Sequence, residues 1–195
     1  MRHILLFFFI LFQFQASAEQ NLNHFHSKQR LSLLQEDSLS FPQTWEGIWV
    51  GELKIHNATG LVQTLPMELH ILPLDSADLY SWTIIYGEDK IKGKRDYLLV
   101  PVDPTQGHYL IDEQNSIGLD AFLLGEQFYQ RFSVAGNMLL TSTALREGQL
   151  VWEIISGSLT PVQVTGNTQR GDEEIPEVSA FPIKVLQRAI LLRKK

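Results

Sequence analysis

The chain has 195 residues, with 16 Lys and Arg against 22 Asp and Glu, and a formal net charge of −6 at pH 7. This acidic balance excludes a role dominated by nucleic-acid binding, which requires a basic surface. The sequence contains no cysteine, and this excludes disulfides, thiolate metal sites and a cysteine-attached haem or lipid.

The N-terminus predicts a secretory signal peptide spanning residues 1–18. Arg2 provides a basic start, residues 4–12 are all apolar, and Ala16-Ser17-Ala18 has the small-x-small pattern of a cleavage site. The apolar run is too short for a membrane span, which takes roughly 20 residues. We therefore expect cleavage near Ala18, a secreted or periplasmic protein, and no stable membrane anchor.

Residues 19–44 are polar and predict a leader with at most one short helix. His24 and His26 lie two residues apart within it. Two solvated histidines are favoured here over a metal site, and no metal is expected.

From Trp45 onward the apolar residues alternate with polar ones, which is the pattern of strands. Trp45, Trp49 and Leu53 would share one face of the first strand, and residues 57–60 predict a turn. Asn57-Ala58-Thr59 also matches an N-glycosylation sequon. We favour a simple turn over a glycosylation site at these residues. A second run follows up to residue 71.

Seven further short runs follow at close intervals, at residues 79–87, 96–102, 108–112, 117–124, 127–134, 138–145 and 150–157. Strands joined by such tight connections must be antiparallel. Residues 160–180 are polar and acidic, and predict a mobile loop. The last apolar run, 181–192, is predicted as the closing strand, although 185–192 also fits the period of a helix.

About ten antiparallel strands in sequence order leave two unpaired sheet edges, and closing the sheet removes both. We therefore predict an all-β fold: an antiparallel up-and-down barrel of about 8–10 strands over residues 45–193. The 160–180 loop would bring the final strand back to pair with the first.

Gly47-Ile48-Trp49 on the first strand resembles the Gly-x-Trp opening of the calycin superfamily, the lipocalins and fatty-acid-binding proteins. The resemblance implies that Trp49 plugs the floor of a lipocalin-like barrel, and that a basic residue near the last strand stacks on it. Arg188 or Arg193 would supply that residue, and we assign Arg188 to barrel closure with Gly47 and Trp49. No subfamily is identified.

The segment 45–51 is also similar to the opening of nitrobindin-like barrels, which hold haem through a histidine near the C-terminus. No histidine follows His108 in this chain. No cofactor is therefore expected.

The aromatic residues that alternate onto single strand faces have two interpretations. They fill a solid core, or some of them line an apolar cavity, since a barrel of this size can hold one small ligand. The residues predicted to bind a ligand are Trp82, Tyr86, Tyr97, Phe128, Phe132 and Trp152. A cavity of roughly 300 Å³ or more would suit a ligand, whereas a filled lumen would favour a packed module. Arg131, by alternation, belongs to the outer face.

The leading hypothesis is a barrel that binds a small hydrophobic molecule or lipid without catalysis. The alternative is a structural or protein-interaction module with a solid core. An enzyme with a site at the barrel mouth, using His108, is less favoured: the sequence has no Gly-x-Ser-x-Gly motif and its carboxylate clusters lie in loops. No catalytic residue is assigned.

Overall fold

The computed structural model describes residues 41–76 and 78–195. The predicted signal peptide, most of the leader, and His24 and His26 lie outside these residues. Within the described part, a 3-10 helix (Gln43–Trp45) precedes the first strand and a second one (Pro104–Gln106) connects two strands. No helix there is long and apolar enough to cross a membrane.

Ten antiparallel strands close into a barrel, as predicted. They are β1 (Gly47–Asn57), β2 (Gly60–Ile71), β3 (Tyr80–Tyr86), β4 (Lys94–Asp103), β5 (His108–Asp112), β6 (Gly118–Leu124), β7 (Gln127–Val134), β8 (Asn137–Arg146), β9 (Gln149–Ser158) and β14 (Val185–Arg193). Each of β1 to β9 pairs with its sequence neighbour, and β14 lies between β9 and β1. The last segment is thus a strand and not a helix.

Two-residue turns set the register of the hairpins that join β7 to β8 and β8 to β9. The first turn is Ala135-Gly136 and the second is Glu147-Gly148, and all four residues have positive φ. Positive φ at both positions is what the type I′ turn of a tight hairpin requires. The alternation predicted from the sequence therefore continues from strand to strand without a change of face.

The connection between β9 and β14 differs from the irregular loop that the composition predicted. It holds two short strand pairs: β10 (Gln163–Thr165) with β13 (Val178–Ala180), and β11 (Thr168–Arg170) with β12 (Glu173–Ile175). β11 and β12 form a hairpin across the turn at Gly171, and β10 and β13 pair around it. Such pairing is compatible with a polar, acidic composition, because nearly all of the side chains remain exposed. We refer to residues 160–180 as the arm.

Trp45 does not belong to the first strand, contrary to the alternation pattern. The chain turns at Pro42, which caps the 3-10 helix Gln43–Trp45, and the strand begins only at Gly47. The Trp45 side chain is nonetheless buried. Its carbonyl accepts a hydrogen bond of 2.9 Å from the indole nitrogen of Trp49, so the helix is fixed across the base of the barrel.

Trp49 and Arg193 form the contact that joins the first and last strands at this end. The two residues are register partners across β1 and β14. The guanidinium carbon of Arg193 lies 4.6 Å from the centroid of the Trp49 ring, and its Nη2 donates to the carbonyl of Thr44 at 3.0 Å.

The assignment of Arg188 to barrel closure is wrong. Arg188 pairs with Lys54 across β1 and β14, and both side chains lie on the outer face of the sheet. Its Nε lies 3.7 Å from Glu153 Oε2, with half of the side chain exposed. The alternation of β14 explains the difference, because Ala189, Leu191 and Arg193 face inward and Arg188 cannot.

Replacing the two arginines separately tests which one closes the barrel. Arg193→Met should lower the free energy of unfolding by about 1–2 kcal/mol, since it removes a cation–π contact and a hydrogen bond. Arg188→Met should change it by about 0.5 kcal/mol or less, because an exposed ion pair contributes little. Urea unfolding followed by tryptophan fluorescence measures both. Equal losses in the two variants would contradict the assignment.

Gly51 of β1 lies against the backbone of β14. A Cβ atom there would clash with the carbonyl oxygen of Ile190 and lie 3.1 Å from a methyl carbon of Leu191. Backbone cannot yield as a flexible side chain can, so Gly51→Ala should destabilise the protein by about 1–3 kcal/mol. Urea unfolding measures the loss. A Gly51→Ala protein as stable as the wild type would show that the seam tolerates a side chain.

Candidate functional site

The inward-facing side chains divide the lumen into a filled half and an open half. We call the end where β1 begins the plugged end, and the end where β1 finishes the mouth. At the plugged end Phe41 enters the lumen, with ring centroids 4.9 Å from Trp45, 5.0 Å from Tyr109 and 5.0 Å from Phe128. This aromatic cluster, with the buried Trp49 ring, fills the plugged end of the lumen.

Phe41 was not anticipated from the sequence. It lies in the leader, outside the alternating region, and no periodicity identifies it as a core residue. The signal that marks it is local: Pro42 follows it and caps the short helix that turns the chain under the barrel.

Toward the mouth the lumen holds a cavity of about 120 Å³ that is partly open to solvent. All six residues predicted to bind a ligand contribute to its wall. The lining consists of Trp82, Ile84, Tyr86, Tyr97, Ile111, Glu113, Leu119, Phe128, Gln130, Phe132, Thr141, Thr143, Trp152 and Ile154. The cavity is smaller than the roughly 300 Å³ expected for a hydrophobic ligand of ordinary size, because the Phe41 cluster fills the other half.

The strand register explains why these residues meet. Directly paired residues of an antiparallel ladder point to the same side of the sheet. Phe128 pairs with Thr143, and Thr143 pairs with Trp152, while Trp82 pairs with Tyr97 on the opposite wall. Trp82 and Phe128 then approach across the lumen with ring centroids 5.3 Å apart.

Three polar side chains interrupt the aromatic wall on β7 and β8. Gln130, Thr141 and Thr143 face inward and are buried. The hydroxyl of Thr141 donates to Gln130 Oε1 at 3.0 Å. Sequence reasoning missed all three, because it searched the inward face for aromatic residues and for charges only.

The rim of the cavity carries one carboxylate, Glu113, beside the hydroxyl of Tyr97. Burial raises the pKa of Tyr97, and the nearby Glu113 charge raises it further. Burial also raises the pKa of Tyr86 well above its usual range, with a smaller contribution from Tyr97. Arg95 faces this rim, but its Nη1 donates to the carbonyls of Lys92 and Lys94 at 3.0 and 2.8 Å.

The histidines lie on the outer surface. His70 Nε2 is 2.8 Å from Glu68 Oε2, and Glu68 also binds Lys90 at 2.6 Å. His56 and His70 are not cross-strand neighbours, since His56 pairs with Leu61 and His70 with Ile48. Within residues 41–76 and 78–195, no group of three His, Asp or Glu side chains is placed to hold a metal ion.

His108 has a partner that the sequence did not reveal. Its Nε2 lies 2.7 Å from Asp120 Oδ1, and its ring stacks on Phe122 with centroids 4.8 Å apart. Both contacts are on the outer face near the plugged end, because β5 begins there. His108 therefore lies at the end of β5 opposite the mouth, and it is not part of the cavity lining.

A second depression, of about 320 Å³, lies on the outer face of β1 and β14, lined by Glu52, Lys54, His56, Arg188 and Ile190. His56 Nδ1 is buried there without a hydrogen-bond partner, the only such side-chain atom in the described part of the chain. The depression is larger than the luminal cavity and open to solvent, and Ile190 is the one aliphatic residue in its lining. Arg131, as predicted, is exposed on the outer face of β7.

No protein-family model, curated protein or solved structure matches this chain. Its function must therefore be argued from the geometry of the barrel.

The buried tyrosines of the rim predict a loss of stability in alkaline solution. Their pKa values are raised in the folded state, so as pH rises above about 10 the unfolded chain releases protons first. The free energy of unfolding should therefore fall as pH increases from 10 to 11.5, and less steeply in Tyr86→Phe. Urea unfolding at several pH values measures the slope, with pH 7 as the reference. The same slope in both proteins would contradict the burial of the Tyr86 hydroxyl.

Proposed function

We propose that this chain is a calycin-like barrel, exported after removal of its signal peptide, that binds a small apolar molecule in its lumen without catalysis. One observation carries the proposal: the inward faces of seven strands converge on a partly open cavity lined mainly by aromatic and aliphatic side chains. Sites of this kind are concave and mostly apolar, with a few polar groups that fix orientation. The Trp49–Arg193 stack supports the calycin-like assignment, since that family places such a pair at the base.

The volume of the cavity restricts the ligand. A cavity of about 150 Å³ in another protein holds one benzene molecule, and this one measures about 120 Å³. It therefore suits a single small ring and is too small to enclose a lipid. Of the two ligand classes predicted from the sequence, the small hydrophobic molecule is therefore favoured over the lipid.

The aromatic cluster at the plugged end favours the second candidate, a structural module with a solid core. Phe41, Trp45 and Phe128 pack edge to face or tilted at about 5 Å, as rings do in a protein interior. Only the mouth half differs from a packed core, so the two functions are distinguished by whether that half accepts a ligand.

Toluene is a suitable probe because it has one ring and no polar group. We expect the protein to bind it with a dissociation constant of about 0.1–1 mM, which is ordinary for seven heavy atoms in an apolar cavity. Isothermal titration calorimetry and quenching of tryptophan fluorescence measure the affinity, since Trp82 and Trp152 line the cavity.

A cavity-filling variant localises the binding. Thr143→Leu adds volume to the wall and should weaken toluene binding at least fivefold, whereas Thr168→Leu on the exposed arm serves as the matched control and should leave it unchanged. Near-ultraviolet circular dichroism verifies that both variants fold. No toluene binding to the wild type up to its solubility would favour the packed module instead.

A further inference from the structure

Gln130 is the polar group that the cavity wall leaves incompletely satisfied. Only 9% of its surface is exposed, and it lines the cavity. Its Oε1 accepts the hydrogen bond from Thr141, but the structure gives its Nε2 no partner among residues 41–76 and 78–195. A primary amide nitrogen carries two N–H donors.

The amide nitrogen is reachable from the cavity and is not sealed inside the wall. Within the described residues, the only fully enclosed side-chain nitrogen or oxygen without a partner is His56 Nδ1. Gln130 Nε2 is unpartnered yet is not enclosed in this way. Its neighbour across the β6–β7 ladder is Ala121, which is fully buried and too small to cover the amide.

An unmatched buried donor is unfavourable. A well-placed acceptor on a ligand restores the hydrogen bond that the wall does not supply. Trp82, Phe128 and Trp152 line the same cavity as the amide. A ligand that fits both features has an apolar ring and one hydrogen-bond acceptor.

The charges around the cavity disfavour an anionic ligand. Glu113 is the one charged residue of the lining, and its carboxylate at the rim repels a carboxylate ligand. The guanidinium of Arg95 near the rim is already bound to two backbone carbonyls. A fatty acid, whose carboxylate needs a cation in the wall, does not suit this site.

We infer that the ligand is a small uncharged carbonyl compound with a single ring, whose oxygen accepts a hydrogen bond from Gln130 Nε2. This inference rests on the proposed function, because it names the class of molecule that the same cavity takes. Thr143, two residues along β8 from Thr141, adds a second buried hydroxyl to the same cavity wall.

Cyclohexanone and methylenecyclohexane form a matched pair of probes that test it. They have the same shape, and only the ketone oxygen can accept a hydrogen bond. We expect the wild type to bind cyclohexanone about tenfold more tightly than methylenecyclohexane, by isothermal titration calorimetry, because one hydrogen bond to a neutral donor contributes up to about a factor of ten.

Gln130→Met conserves the length of the side chain and removes both donors. It should abolish the preference for cyclohexanone over methylenecyclohexane. Gln163→Met, on the exposed strand β10, is the matched control and should retain the preference. Equal affinity of the wild type for the two probes, or a preference that persists in Gln130→Met, would overturn the inference.

An infrared measurement on the wild type keeps the test independent of whether the variant folds. The carbonyl stretch of bound cyclohexanone should lie below its frequency in cyclohexane, since a hydrogen bond weakens the C=O bond. A bound carbonyl that absorbs at the cyclohexane frequency would overturn the inference. If toluene binds and the ketone preference is missing, only the inference fails; if neither toluene nor either probe binds, the proposed function fails with it.

Discussion

The pairing of the first strand with the last is the interaction on which the rest of the structure depends. Without it the sheet would have two open edges, and the inward aromatic side chains would face water. The eight paired positions between β1 and β14 include Gly51, which permits close approach, and Trp49 with Arg193, which joins the seam to the helix beneath. A cation–π contact contributes only about 0.5–2 kcal/mol, so its effect is to fix the geometry of a closure that the backbone ladder provides.

Closure alone does not decide whether a lumen is solid or hollow. The size of the inward side chains decides it, position by position. At the plugged end, Phe41 enters from outside the sheet and fills the space between Tyr109 and Phe128. Toward the mouth, Gln130, Thr141 and Thr143 occupy inward positions that large apolar residues could hold. The cavity is thus associated with polar residues on two adjacent strands, β7 and β8.

The sequence predicts more of the fold than of the site. Period-two alternation identified the barrel strands, and β5 has the predicted bounds of residues 108–112, because side chains alternate strictly between the two faces of a strand. The same alternation selected the six aromatic residues that now line one cavity. It places Arg188 and Arg193 on opposite faces of β14, but both faces carry apolar residues, so the sequence alone does not show which face is inward.

Two features needed the three-dimensional arrangement. Phe41 contributes to the core through a turn and not through a strand, so no periodic signal extends to it. In the arm, β11 and β12 form a hairpin across the turn at Gly171, and β10 pairs with β13 around it. The acidic and polar composition of this segment is equally typical of a loop without strands. Local backbone pairing leaves little trace in composition when neither face is buried, and every residue of β10 and β13 is exposed.

The polar residues of the wall bear on the choice between a binding site and a packed core. A chain under selection for stability alone would place an aliphatic side chain at position 130, where burial of an incompletely bonded amide is unfavourable. Residues that break a local rule of core packing without a compensating contact are concentrated at functional sites. Gln130 breaks that rule within a cavity wall, opposite a small alanine and beside two threonines. The Gln130 amide lowers the stability of a solidly packed core, but it would orient a molecule bound in the cavity. For this reason we favour the ligand-binding proposal over the packed module.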